Sequence, residues 1–153
     1  MATQRLNAYT AAPDGMAALA AVEKYLQSCG LDHKLIGLVK TRVSQINGCT
    51  YCLHMHTAEA RKLDESEPRL YVLDGWRESN LYSPRERAAL AWAESLTHSA
   101  VTHAPDDVYD AARKQFSEKE LADLSIVIAM INAWNRLAIS SRSIHPAERV
   151  KAA

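Results

Sequence analysis

The sequence has 153 residues, enough for one domain with a sizeable core that needs no staple of disulfides or metal. Apolar residues make up 48% and charged residues 24%, which excludes disorder as the main state. Lys plus Arg equals Asp plus Glu at 18 each, so the formal net charge is zero, and nothing favours binding to nucleic acid or anionic lipid. One Phe stands beside three Trp and six Tyr, so the core is built mainly from Leu, Ile, Val and Ala, a helix-friendly set. No uninterrupted apolar run reaches the roughly 18 residues of a membrane span; the most apolar run is Ile126 to Ile131. Met1 to Asn7 has no hydrophobic signal segment, so the expectation is a cytoplasmic protein with no membrane partner and with reduced thiols. Three cysteines, an odd count, do not make a disulfide framework.

The chain reads as all helix. A first helix is predicted from Pro13 and Asp14 to Gly30, with Met16, Leu19, Ala20, Glu23 and Leu26 on one face. Asp32 caps a second, whose buried stripe is Leu35, Leu38, Val39, Val43 and Ile46; Asn47-Gly48 ends it. A third runs from about Cys49 to Leu63, and a short fourth from Pro68 to Gly75. Ser83-Pro84-Arg85-Glu86 and Ser117-Glu118-Lys119-Glu120 have the capping-box pattern and open two more. Pro105 to Lys114 lies between them as a short helix. The helix from Glu118 to about Ser140 is apolar on nearly every side from Leu121 to Ile131, which makes it the central one. The tail after Arg142 is polar.

Asn47 to His56 carries the chemistry. Cys49 and Cys52 are three apart, at the start of a helix and on one face, where their sulfurs can close a small disulfide ring. His56 follows Cys52 by four on the same face; His54 points elsewhere. The free N–H groups of the helix start, the neighbouring thiol and His56 all favour thiolate, so the pair reads as a thiol–disulfide couple. Zinc is the rival, with Cys49, Cys52, His54 and His56 as ligand types, but no second C-x-x-C or spaced His pair completes a site. No metal or cofactor is expected. Cys29 reads as a small buried hydrophobe; His33, His98, His103 and His145 read as surface or helix-end residues. Asn132-Ala133-Trp134-Asn135-Arg136 reads as structural, with Asn side chains satisfying buried groups, and secondarily as a pocket wall or subunit contact.

The run Val43-Ser44-Gln45-Ile46-Asn47-Gly48-Cys49-Thr50-Tyr51-Cys52 with Met55-His56-Thr57 resembles the core motif of the AhpD-like alkylhydroperoxidases, within the carboxymuconolactone decarboxylase superfamily. The resemblance extends through Leu70 to Trp76, Glu86 to Trp92 and Ile131 to Arg136, and covers most of residues 33–142 of a single domain, 1–153. It implies an all-α AhpD-like fold around a central apolar helix. It further implies an intertwined, dimer-based homo-oligomer, up to a hexamer. It implies a peroxidase in which Cys52 attacks the peroxide, Cys49 resolves it to a disulfide and His56 serves in a proton relay. An external thiol or dithiol would be the reductant.

The sequence departs from that pattern at two places. Tyr51 stands where the best-known members have a histidine, and the position of the relay glutamate is Gly37. Loss of that carboxylate predicts a His56 without its orienting partner and a weakened peroxidase. Glu59 is the candidate substitute, three residues after His56, although its simpler reading is a solvated surface carboxylate. The alternatives are a dithiol electron-transfer partner with little turnover of its own, which the missing carboxylate favours, and a decarboxylase, which the intact C-x-x-C disfavours.

Overall fold

Capping chemistry sets the helix ends in the computed structural model, which describes residues 3–148. The helices are α1 (Ala8–Ala11), α2 (Pro13–Leu26), α3 (His33–Asn47), α4 (Thr50–Lys62), α5 (Glu67–Tyr71), α6 (Pro84–Thr97), α7 (Ser99–Thr102), α8 (Asp106–Arg113) and α9 (Glu118–Ser141). Short 3₁₀ turns lie at Leu73–Gly75 and Pro146–Glu148, and no strand occurs among the described residues. The all-α expectation holds. Asp32 accepts from Lys34 N at 2.9 Å to start α3, and both Ser83 and Ser117 form complete capping boxes with Glu86 and Glu120.

Several boundaries differ from the sequence reading. The first long helix stops at Leu26, not at Gly30, because Ser28 N turns back to Tyr25 O and Gly30 takes a left-handed φ of 100°. The Pro68–Gly75 segment begins one residue earlier and splits at Val72 into α5 and a 3₁₀ turn. Two four-residue helices, α1 and α7, carry too little periodicity to be read; α1 exists because Asn7 caps Tyr9 N at 3.0 Å.

The centre is shared by α3 and α9. α3 packs on α4, α6 and α9, and α9 packs on α2, α3, α4, α6 and α8. Val39, Val43, Ala89, Leu124, Val127 and Ile131 are fully buried in the main cluster. A second cluster joins Leu38, Leu73, Trp76, Tyr82 and Leu90. Beside it, Glu94 accepts from Trp76 Nε1 at 2.9 Å and Arg42 Nε at 2.8 Å, and also from Arg77. Burial works against the Glu94 charge, but these donors outweigh it and hold its carboxyl below the usual range. By length and composition alone α9 is long and apolar enough to cross a membrane, a test that a buried core helix also passes. It is not enclosed on every side: Ile126 is 37% exposed, and Ala122 and Ala129 share that outward face.

Polar groups tie α9 to the end of α3. Asn135 is wholly buried and donates to Ser44 Oγ at 3.1 Å. Asn47 Nδ2 donates to Asn135 Oδ1 at 2.9 Å and to Asn132 Oδ1 at 3.0 Å. Asn132 in turn donates to Ile128 O and Thr97 Oγ1. Every amide in this set has partners, as burial demands. Gly48, at φ 68°, then reverses the chain in the left-handed region while Gly48 N and Cys49 N return to Gln45 O and Ser44 O.

Two stability predictions follow from this corner. Asn135→Ala strips partners from Asn47 and Ser44 and opens a small void, so it should cost about 2–4 kcal/mol in denaturant melts; a cost within experimental error would contradict the network. Gly48→Ala and Gly37→Ala should move in opposite directions. The first costs about 1–2 kcal/mol because alanine resists the left-handed turn. The second gains about 0.5–1 kcal/mol because a methyl in mid-helix meets nothing within 4 Å.

Candidate functional site

The turn at Gly48 places Cys49 at the N-cap of α4, where its Sγ accepts from Cys52 N at 3.3 Å. Cys49 and Cys52 form a disulfide with Cα atoms 5.4 Å apart. Both sulfurs sit in the first turn, where unpaired N–H groups and the helix dipole would stabilise a thiolate in the reduced protein. Cys49 is 1% exposed and Cys52 2%. Cys52 nonetheless lines a cavity of about 940 Å³, with Cys49 buried behind it.

His56 stands one turn along α4 from Cys52 and lines the same cavity. It is buried, and its Nδ1 lies 2.9 Å from Glu59 Oε2. The bond to His56 is the chief cause that holds the Glu59 carboxyl below the usual range; desolvation opposes it, and Lys40 and Lys62 assist. An ionised carboxylate accepts only, so Nδ1 carries the hydrogen. Nε2 is buried and has no hydrogen-bond partner among the described residues.

His56 is therefore not left without an orienting carboxylate, contrary to the expectation drawn from Gly37. Glu59 is both things the sequence allowed: its side chain is 56% exposed, yet it is bonded to His56. Gly37 lines the cavity from α3 and contributes no side chain to it. Tyr51 also lines the cavity.

The remaining candidates fall elsewhere. His54 stacks on His145 with ring centroids 4.9 Å apart, and His145 meets Tyr51 edge-on at 5.4 Å. Among the described residues no three His, Cys, Asp or Glu side chains converge on a metal position. Cys29 is a free buried thiol that donates to Leu26 O. His33 opens α3 beside Gln27 O; His98 and His103 are helix-end residues.

Sequence reasoning missed a polar group in the cavity wall. Glu23 pairs with Lys40 Nζ at 2.7 Å and accepts from Trp134 Nε1 at 2.8 Å. The signal was a carboxylate on the apolar face of α2. Trp134 thus serves as pocket wall, while Asn132 and Asn135 of the same run are structural. The stacking of His145 on His54 left no trace in the local pattern.

Comparison with known proteins gives the family. The sequence pattern of the Carboxymuconolactone decarboxylase family matches residues 11–95. The uncharacterized protein YdfG of Bacillus subtilis is 41% identical over 138 residues, 90% of this chain and 94% of that protein. A protein of unknown function from Agrobacterium tumefaciens, provisionally assigned as the antioxidant defence protein AhpD, superposes with a TM-score of 0.91 at 42% identity, over 94% of this chain and 99% of that one. An uncharacterized peroxidase-related protein from Silicibacter sp. TM1040 superposes with a TM-score of 0.78 at 25% identity, over 92% and 75% of the two chains. A matching family pattern, a long relative and a shared fold agree: the chain belongs to the carboxymuconolactone decarboxylase family and has the AhpD-like form of its fold.

Proposed function

We propose that the protein is a thiol-dependent peroxidase with an antioxidant role, working through the Cys49–Cys52 couple. One observation carries the reading: Cys52 lines the cavity beside His56, and Cys49 lies behind it within disulfide reach. In the reduced protein the Cys52 thiolate attacks the terminal oxygen of a hydroperoxide. The O–O bond breaks, Cys52 becomes a sulfenic acid and the alkoxide leaves with a proton as an alcohol. The Cys49 thiol then attacks that sulfur and water leaves, closing the disulfide. Two electrons from an external dithiol or from two external thiols then restore the Cys49–Cys52 dithiol. His56 bonds Glu59 and has no partner on Nε2 among the described residues, which supports a role for it in taking the proton from Cys52. The antioxidant and peroxidase-related descriptions of the two structural relatives support the assignment. A homo-oligomer is part of the proposal, with the exposed α9 face around Ile126 as apolar surface for a second copy to cover.

The test is peroxide consumption by the pre-reduced protein. Cys52→Ser should abolish it, and Cys49→Ser should stop it after a single oxidation. Glu59→Gln should slow it by about tenfold or more, since His56 loses the partner that orients it. A silent Glu59→Gln together with a faster Gly37→Glu would return the relay to α3 and overturn the role given to Glu59. Light scattering should give a mass of two or more subunits; a monomer at micromolar concentration would contradict the assembly.

A pH prediction follows from the bond to His56. Glu59 has a depressed carboxyl pKa, so its hold on His56 is complete above the ordinary glutamate value of 4.5 and is lost only as pH falls through the lower folded-state value. Carbon-13 titration of the Glu59 carboxyl should show a midpoint below 4.5 that rises in His56→Ala. An identical midpoint in both proteins would remove the bond from the account.

A further inference from the structure

Part of the wall of the cavity onto which Cys52 opens comes from the chain beyond α9. Arg142, at φ 52°, ends α9 in the left-handed region, and Ser143 N returns to Ala138 O at 2.9 Å. The chain then runs beside α4, where Ser143, Ile144 and Pro146 line the cavity. Cys52 is 2% exposed although the space beside it is large, so a thiol from solution reaches its sulfur only by way of that cavity.

This part of the wall is fastened differently from the rest. Among the described residues no backbone hydrogen bond joins 144–148 to another element. What seats the segment on α4 is a pair of ring contacts made by His145. Its ring stacks on His54 with centroids 4.9 Å apart and an interplanar angle of 14°, and it meets Tyr51 edge-on at 5.4 Å. Tyr51 and His54 are three residues apart and so present one face of α4 to it. Within the tail, His145 Nδ1 accepts from Ala147 N at 3.1 Å, which fixes the orientation of the ring. Ile144 and Pro146, which line the cavity, flank that ring in sequence, so seating His145 also seats the wall. Tyr51 itself lies between the two cysteines, in the first turn of α4.

A segment held by side-chain packing and not by a backbone ladder opens at a small cost, without unfolding the core behind it. We propose that residues 143–146 form a strap that gates the Cys49–Cys52 pair, closed when His145 seats on Tyr51 and His54 and open when it lifts. The strap needs only a disulfide that an incoming thiol must reach. It does not rest on the peroxidase reading, and neither fails with the other.

The test uses the oxidised full chain and dithiothreitol, which reduces the Cys49–Cys52 disulfide through a mixed disulfide and leaves as its own cyclic disulfide. An aromatic contact of this kind shifts an opening equilibrium by roughly two- to tenfold. His145→Ala should therefore speed the reduction by about threefold or more. His145→Phe keeps a ring in the seat and loses the imidazole, and should stay close to the unaltered protein. Cys29, the free thiol of the oxidised chain, is buried in the main core cluster and reports on general loosening. Its labelling by iodoacetamide should be the same in all three proteins. Reduction of His145→Ala at the unaltered rate would overturn the gate. Reduction of His145→Phe as fast as His145→Ala would overturn the ring latch, and a parallel rise in Cys29 labelling would assign the faster reduction to the whole fold and not to the strap.

Discussion

The side chain of Asn135 is the constraint on which the site depends. It is fully buried in α9, donates to Ser44 and accepts from Asn47. That pair of bonds holds the C-terminal turn of α3 against the central helix. Gly48 reverses the chain at that end, and Cys49 begins α4 directly after it. The dithiol is therefore positioned by a network in the core rather than by a loop. A fully satisfied buried network specifies one arrangement, because any shift leaves an amide unpaired.

From that fixed corner the chemistry follows along one helix. The first turn of α4 carries both sulfurs, the second carries His56 and the next carries Glu59. Helical spacing alone brings these groups to one side. Position 37 on the facing helix carries no side chain, and the carboxylate bonded to His56 comes from its own helix and is half exposed. The arrangement holds the imidazole at Nδ1, and Nε2 has no partner among the described residues.

Much of this was legible because it is local. The caps at Asp32, Ser83 and Ser117 and the Asn47-Gly48 stop are short patterns with a direct physical meaning, and they form where they were read. The Cys49, Cys52, His56 and Glu59 spacing could be laid on a helix with no further knowledge. What was not legible depends on distant segments. Glu23, Lys40 and Trp134 meet from three helices, and His145 reaches the C-x-x-C helix from the tail. The end of α2 was misplaced because Gly30 marks the end of a turn that begins three residues earlier. Composition marks α9 as the central helix, yet Ile126 faces outward, a matter of which neighbours surround it.

The central claim is that peroxide is reduced at Cys52 with Cys49 as its partner. Its most direct measurement is a stoichiometric one. The fully reduced protein is mixed with one equivalent of an organic hydroperoxide, quenched, digested and weighed peptide by peptide. The account predicts loss of two hydrogens from the peptide that holds Cys49 and Cys52, one peroxide consumed per chain, and an intact Cys29 thiol. Oxidation at Cys29 with the pair still reduced, or peroxide loss no faster than with a free thiol, would contradict it.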